Sequence, residues 1–528
     1  MDVYINSYFK FHISPRPYKD GNDYRVDSGL GKEHSNRFIL YMDKVIKLRF
    51  VFPICILFLI SFLSLSIFSY TTSPFYFEKP SADSAIFQLI GKYWAHGLLP
   101  YVSLWDQKGP IIFFINEIGY ILTGTATGVF IIEVVAFFVT LCILYRLLRE
   151  EFTPLITCAL LLLPAISLSA NNLGGNGTEE YLLPLLAWSY WLLYKWLEGA
   201  SLSCTKHPWK YAIVYGMVLS FSLLTRLTNA LGICGAVAVV GIYLISQRQW
   251  KNLLANIVAF IGGFAILFVP FAVYFALKGS FGEMWYGTFL YNLDYAAESV
   301  SDIYSLGGIA KFIMHYWDTL FVIVVSFIIF ILNPHRRLAA AVWFMASMMP
   351  AIWFVKSNGY SHYGIISLPL VCIAILELSK LKTSRTKGLH LKWSLLAIYT
   401  LGITLSCIHS YKLANTLYAT NPDLIQTRLF MKSVPSTYKS SFVGYNVDPD
   451  YCLYEGIRPA CRFFINQDFQ ASRSKSLKKM IYRSFEESKP QWILVKGRPN
   501  VIASVLQRKY QVFKRDTKLD LTLYEFCH

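Results

Sequence analysis

Apolar stretches recur along this chain, and several match the thickness of a bilayer's hydrocarbon core, which a helix needs about 20 predominantly apolar residues to cross. The clearest are Val51 to Tyr70, Val129 to Leu148, Leu231 to Ser246, Ile257 to Leu277 and Leu320 to Leu332. With 55% hydrophobic and 15% charged residues, no water-soluble fold of this length has cores enough to hide them. The chain therefore reads as a polytopic membrane protein. Its formal net charge of +17 would suggest nucleic acid in a soluble protein. Here Lys and Arg gather in short loops between apolar runs, which is the pattern of membrane orientation, so nucleic acid is not an expected partner.

Lys44, Lys47 and Arg49 precede the first apolar run, and Arg146 with Arg149 follow the second, which sets both groups on the cytoplasmic side. The same side then receives Lys195 to Lys210, Arg248 with Lys251, His335 to Arg337 and Lys380 to Lys392. The alternation closes with about eleven spans, provided Pro110 to Thr123, which is too short to cross, lies in the outer interface. The expected organisation is a cytoplasmic, disordered lead at 1–47, a transmembrane domain at 48–410 and an extracytoplasmic α/β domain at 411–528. About forty polar residues precede the first span, which argues against a cleavable signal, and Met42 stands as an alternative start.

Ser81 to Gly97 has helical spacing of Ile86, Leu89, Ile90, Tyr93 and Trp94, with Ser81 or Asp83 placed to cap it, and reads as a surface helix. After Ser410 the pattern changes to strand-like runs at Ser441 to Tyr445, Gln491 to Val495 and Leu519 to Phe526, with a helical stretch at Lys475 to Glu487. Six cysteines lie in apolar runs, where thiols behave as small core residues. Cys452, Cys461 and Cys527 follow Ser410, and one disulfide or free thiols are equally compatible with their setting. No Cys/His spacing suggests a metal. Asn176-Gly177-Thr178 matches a glycosylation acceptor pattern by accident of composition.

Polar groups beside apolar helix ends are costly and mark functional sites. The first outward loop, SADSAIFQLIGKYWAHGLLPYVSLWDQKGP, sets Asp83, Lys92, His96, Asp106 and Lys108 between two apolar stretches. An Asp after the first span, a surface helix, a Leu-Pro-Tyr turn and Asp-Gln-Lys-Gly-Pro before a short apolar helix resemble the GT-C fold membrane glycosyltransferases. The pattern is similar to that of the bacterial relatives of protein O-mannosyltransferases and lipid A aminoarabinose transferases. GYSHYGIISLP at Gly359 to Pro369 and FVGYNVDPDYCLYEGIRPACRFF in the C-terminal region resemble later parts of the same enzymes.

The resemblance implies an all-α polytopic membrane domain of GT-C type with a small C-terminal α/β domain. It implies an inverting glycosyltransferase that moves a sugar, hexosyl or pentosyl, from a polyprenyl-phosphate carrier to a lipid, glycan or protein acceptor. The reaction would run at the outer face of the cytoplasmic membrane, among membrane lipids. An attacking hydroxyl needs a base, and Asp83 holds the family's position for it. The departing phosphate gains charge, and Lys108, with Arg226 and His362, is placed to stabilise it. Where several relatives carry an acidic pair, Asp83 is followed by Ser84. A second carboxylate contacting sugar or acceptor then has to come from Asp106, Glu179 or Glu180, with Tyr363 as a further contact. The resemblance fixes no cofactor, and a divalent cation is left open. Each residue also has a plainer reading: Asp83 as a helix cap, Lys108 snorkelling to headgroups, Arg226 and His362 as interfacial anchors, and the two glutamates as acids at a helix start.

Two other functions suit an apolar, basic, polytopic chain. One is a transporter or flippase of lipid-linked saccharide, which favours internal repeats and broken helices at mid-membrane. The other is a surface polysaccharide ligase or polymerase, which places its large loop later.

Overall fold

The computed structural model describes residues 51–76, 82–172, 174–200, 206–297, 306–356, 360–381, 387–419 and 422–527. The lead at 1–47 and Met42 lie outside them, as does Ser81. The chain divides into two units, Met1–Pro53 and Ile54–His528, and the packing below is that of the second.

The helices follow the hydropathy. Val51–Phe68 (α1) is followed by Ala82–Ala95 (α2), Pro110–Thr123 (α3) and Ala126–Leu148 (α4). Pro154–Leu160 (α5) and Leu162–Asn171 (α6) form one near-continuous rod, and then come Thr178–Ala200 (α7), Trp209–Leu223 (α8), Leu231–Ser246 (α9) and Trp250–Leu277 (α10). Among the described residues, eight helices are long and apolar enough to cross a membrane, including α1, α4, α10 and His390–Lys412. α3 and Trp317–Leu332 are shorter apolar helices.

Packing and exposure divide these helices into inner and outer. Ser361–Lys380 runs through the middle, and from Leu368 to Leu378 every residue is buried. α10 is the opposite case, with Leu254, Val258, Ile261 and Val269 exposed along it, the surface that lipid would solvate. α8 and α10 lie against each other at close range through small residues. A Cβ added at Gly216 would stand 2.0 Å from the Phe260 carbonyl oxygen, and one at Gly263 would stand 1.9 Å from that of Ile213. Close backbone approach of this kind is how helices associate where no hydrophobic gain separates protein from lipid.

The C-terminal region carries a four-stranded sheet in the order β1-β2-β4-β3. β1 (Phe442–Tyr445) and β2 (Trp492–Lys496) are parallel, while β4 (Leu521–Phe526) runs antiparallel to both β2 and β3 (Tyr510–Asp516). The burial pattern explains the order. β1 is buried throughout and β2 nearly so, and they carry near-continuous apolar runs, whereas β3 is exposed along most of its length. That exposure also explains why β3, which mixes Tyr, Val and Phe with Gln, Lys, Arg and Asp, is absent from the expected strands. Lys475–Ser488 is the expected helix, started by the Ser474 side chain accepting from the Leu477 N–H. Cys452, Cys461 and Cys527 are free thiols, the first two buried.

Candidate functional site

The site is assembled from four segments, and backbone bonds rather than side chains set their relative positions. α2 ends in a glycine turn, where Gly97 adopts φ +85° and Gly97 N–H and Leu98 N–H donate to Trp94 O and Tyr93 O. The loop then folds on Tyr101, a fully buried aromatic in the left-handed region at φ 66°. Tyr101 Oη donates to the Lys108 carbonyl at 2.7 Å and lies 3.2 Å from Thr288 Oγ1. A bulky residue in that conformation is costly and persists where surrounding contacts over-determine it.

The Asp-Gln-Lys-Gly turn docks on the chain just before Arg226. Gly109 N–H donates to Thr225 O at 3.1 Å, and Ile111 N–H to Leu224 O at 3.0 Å. Position 109 has to be glycine, because a Cβ there would stand 2.1 Å from the Leu224 carbonyl carbon. Lys108 and Arg226 are thereby carried on one rim. Asp106 is buried and accepts from the Lys108 N–H at 3.0 Å. Burial pushes its carboxyl above the usual range, against the opposing pull of Lys108.

The third segment is the Gly174 to Asn176 turn, with φ of 97°, 89° and 61°. Thr71 N–H donates to Gly174 O at 3.0 Å. Asn176 is a hub: its Nδ2 donates to Asn116 Oδ1 at 2.9 Å and to Ser84 Oγ at 3.1 Å, and its Oδ1 accepts from Tyr181 Oη at 2.9 Å. The bond to Ser84 ties the exposed Asp83, one residue earlier in the first turn of α2, to the start of α7. The glycosylation-like pattern is thus an internal polar junction, with Asn176 only 1% exposed.

Glu179, Arg226 and His362 meet where these segments converge. Arg226 Nη1 donates to Glu179 Oε1 at 3.1 Å and lies 3.5 Å from His362 Nε2. Its guanidinium sits 3.5 Å from the centre of the Tyr363 ring, a cation–π stack that leaves the fork's edges for other partners. Thr178 Oγ1 donates to Glu179 Oε2 at 2.9 Å. His362 stacks on Tyr360 with ring centres 5.6 Å apart. The charges form one electrostatic neighbourhood: His362 interacts with Glu179, Arg226, Asp83 and Lys108, Glu179 also with Lys108, and Asp106 with Lys108 and Asp83. Among the described residues the carboxylate of Asp83 and the ammonium of Lys108 have no hydrogen bond or salt bridge. Seven of the eight sequence-derived candidates therefore gather at one place. The eighth, Glu180, accepts from the Gly177 N–H at 3.2 Å instead, beside Glu133, which takes the neighbouring Asn176 N–H.

The C-terminal region closes over this loop. Trp105 N–H donates to Arg462 O at 2.9 Å, and its ring meets Phe463 and Tyr291 at 5.5 and 5.3 Å. Tyr291 Oη donates to Gln470 O at 3.3 Å, and Asn292 Nδ2 to Gln107 O at 2.8 Å. Tyr286–Leu290 winds as a single π turn, a form common near functional sites. The aromatic segment around Tyr291 is thus a clasp between loop and C-terminal region. Among the described residues no three His, Cys, Asp or Glu side chains group to hold a metal ion.

Glu133 and Asn116 were missed by sequence reasoning. The signal for Glu133 was present: a single carboxylate in the apolar run ATGVFIIEVVAFF, where an ionisable group is a functional candidate by default.

Residues 107–275 match the family model of the dolichyl-phosphate-mannose-protein mannosyltransferases. Two crystal structures of ArnT from Cupriavidus metallidurans, one bound to undecaprenyl phosphate and one in the apo state, are similar to this fold. Each has a TM-score of 0.52 at 12% identity, covering 90% of this chain and 97% of that one. The Archaeoglobus fulgidus oligosaccharyltransferase, in complex with Zn and sulfate, gives 0.43 at 14% identity over 84% of this chain and 68% of that one. No curated protein sequence matches. The fold is of the GT-C type shared with ArnT, and the protein is a multi-pass membrane protein.

Proposed function

We propose that the protein is a glycosyltransferase that moves a sugar from a polyprenyl-phosphate carrier to a lipid, glycan or protein acceptor at the outer face of the cytoplasmic membrane. The observation that carries this reading is the convergence of Asp83, Lys108, Glu179, Arg226 and His362 at one end of an apolar helix assembly. An ArnT structure was solved with undecaprenyl phosphate, which supports a carrier of that chemical class.

The chemistry follows from the charges. The acceptor hydroxyl attacks the anomeric carbon and gives its proton to Asp83, whose carboxylate has no competing partner among the described residues. The bond from the anomeric carbon to phosphate breaks, and the electron pair leaves with the phosphate. Lys108 and Arg226 balance the charge that develops there. A phosphate leaves without a proton donor, so no paired acid is needed, and a single displacement inverts the anomeric centre. Glu179 holds Arg226 by one edge, Tyr363 supports its face, and His362 backs it. Asp106 shapes the turn that presents Lys108.

The same reading places about eleven passes in the membrane, adding α7, α8 and Trp317–Leu332 to the longer apolar helices. The N-terminus then faces the cytoplasm, and the domain at 411–528 lies outside.

The test is consumption of a polyprenyl-phosphate sugar by purified Asp83→Asn. Turnover should be lost while the fold is kept, and turnover equal to wild type would remove Asp83 from the mechanism. Native mass spectrometry of gently extracted protein should show a bound polyprenyl phosphate or its sugar. Consistent absence of any prenyl lipid would sink the carrier assignment.

A further inference from the structure

Glu179 and Glu180 are neighbours on α7, yet a helix turns about 100° per residue, and their carboxyls enter different surroundings. Glu179 meets Arg226. Glu180 points the other way, into a wall formed by the end of α1, by α4 and by the glycine turn, and meets Glu133. Both are buried, at 6% and 2% exposure, and they accept from consecutive backbone N–H groups, those of Gly177 and Asn176, which sets the two carboxyls side by side.

Two buried carboxyl groups side by side can bond to each other only through a proton that one of them carries, because neither ionised form has one to give. The donors around the pair say where it sits. Glu133 Oε1 accepts from Ser69 Oγ at 2.8 Å and from the Asn176 N–H, and its Oε2 accepts from Thr72 Oγ1. Three donors favour the ionised form of Glu133. Glu180 Oε1 accepts from the Gly177 N–H at 3.2 Å, while its buried Oε2 has no donor aimed at it. An oxygen in that position is accounted for if it carries the hydrogen itself. The titratable neighbours facing the pair, Glu179 and Tyr181, bring no positive charge, and among the described residues neither carboxyl has a salt bridge. A second buried anion here would be strongly unfavourable.

We propose that Glu180 is a neutral carboxylic acid whose Oε2–H donates to ionised Glu133, and that this bond is a positioning device for the catalytic wall. It pins the 174–177 turn from both sides, since Glu133 takes the Asn176 N–H and Glu180 takes the Gly177 N–H. The turn in turn sets where α7 begins and so aims Glu179 at Arg226. Gly175 shows how tight this seat is: a Cβ there would stand 1.7 Å from Ser69 Oγ and 2.7 Å from Glu133 Oε1. Glu180 is therefore a positioning residue that does not touch substrate.

The role of Glu179 rests on the proposed function, but the protonation state of Glu180 does not, and the experiment separates them. Infrared spectra of the full-length protein in lipid nanodiscs at neutral pH should contain the carbonyl stretch of a buried carboxylic acid. Glu180→Gln should remove that band, and Glu179→Gln should leave it. Gln keeps one donor and one acceptor, so Glu180→Gln should melt with wild type and bind undecaprenyl phosphate as wild type does. Glu180→Ala should melt lower and bind more weakly. An unchanged band in Glu180→Gln, or a Glu180→Gln protein as damaged as Glu180→Ala, overturns the proposal. If the band behaves as expected while wild type itself ignores undecaprenyl phosphate, the proton-sharing pair stands and the carrier assignment falls.

Discussion

Helix α7 carries a charged cluster at each end, and the two ends are built on opposite principles. Glu179 lies in its first turn and Glu198 near its last, about 28 Å apart at 1.5 Å per residue. At the Glu198 end Arg336, Glu377, Glu198 and Lys380 are paired with one another. Arg336 clasps Glu377 through Nε at 3.0 Å and through Nη2, and it also donates to Glu198. Trp343 Nε1 adds a bond to Glu377 at 3.2 Å, and Lys380 joins Glu198 at 2.6 Å and Glu151 at 3.5 Å. At the Glu179 end Arg226 has one carboxylate bond, and among the described residues Lys108 and Asp83 have no side-chain partner. A saturated network has nothing left to offer a ligand and costs most when one member is removed. An open one holds charge in reserve beside an apolar surface, which is what a site for a lipid-borne phosphate requires.

The comparison can be broken by exchanging the phenotypes of the two ends. Asp83→Asn should lower turnover by about 10²–10⁴-fold, the usual worth of a general base, with no change in unfolding temperature because its carboxylate is exposed. Glu377→Gln should do the reverse. It leaves the buried Arg336 guanidinium with Glu198 as its one remaining carboxylate, at about 3 kcal/mol, so the unfolding midpoint should fall while the folded fraction keeps its kcat. Loss of kcat in folded Glu377→Gln would mean that the saturated end is not merely structural.

Smaller changes sharpen the picture of the open end. Gly109→Ala drives a methyl into the backbone at Leu224 and should cost about 1–3 kcal/mol, with weaker carrier binding because Lys108 moves with the turn. Arg226→Lys keeps the charge but loses the fork and the stack on Tyr363, and should raise KM for the carrier about tenfold. An unchanged KM would take the phosphate away from Arg226. Least of all, a reducing agent should leave the unfolding midpoint where it is, since Cys452, Cys461 and Cys527 are free thiols. A shift would show a disulfide.

Much of the fold was legible in the sequence because membrane structure is written in runs of one polarity. α3 begins at Pro110 and ends at Thr123, as its apolar stretch and flanking glycines indicate, and Lys475–Ser488 follows its amphipathic spacing. β3 was not legible, since its Tyr, Val and Phe give way to Lys, Arg and Asp and no apolar alternation runs its length. The site was legible as a set of residue types at helix ends, but their partners were not. Nothing local distinguishes Glu179 from Glu180, and the Asn176 pattern suggests an exposed acceptor when the side chain is in fact sealed inside.

The sequence by itself determined that the chain lives in a membrane, which residues form the helix after the first span and the short apolar helix that follows it, and which carboxylates and cations stand at helix ends. Those facts depend on hydropathy over adjacent residues, which folding does not alter. Only the tertiary structure decided which of those charges meet. Lys108 is carried on the same rim as Arg226 because Gly109 and Ile111 bond to the backbone of Thr225 and Leu224, and Glu180 turns from Arg226 toward Glu133 because one residue of helix rotates it through about 100°. Contacts between segments a hundred residues apart are fixed by packing geometry, and no local pattern encodes them.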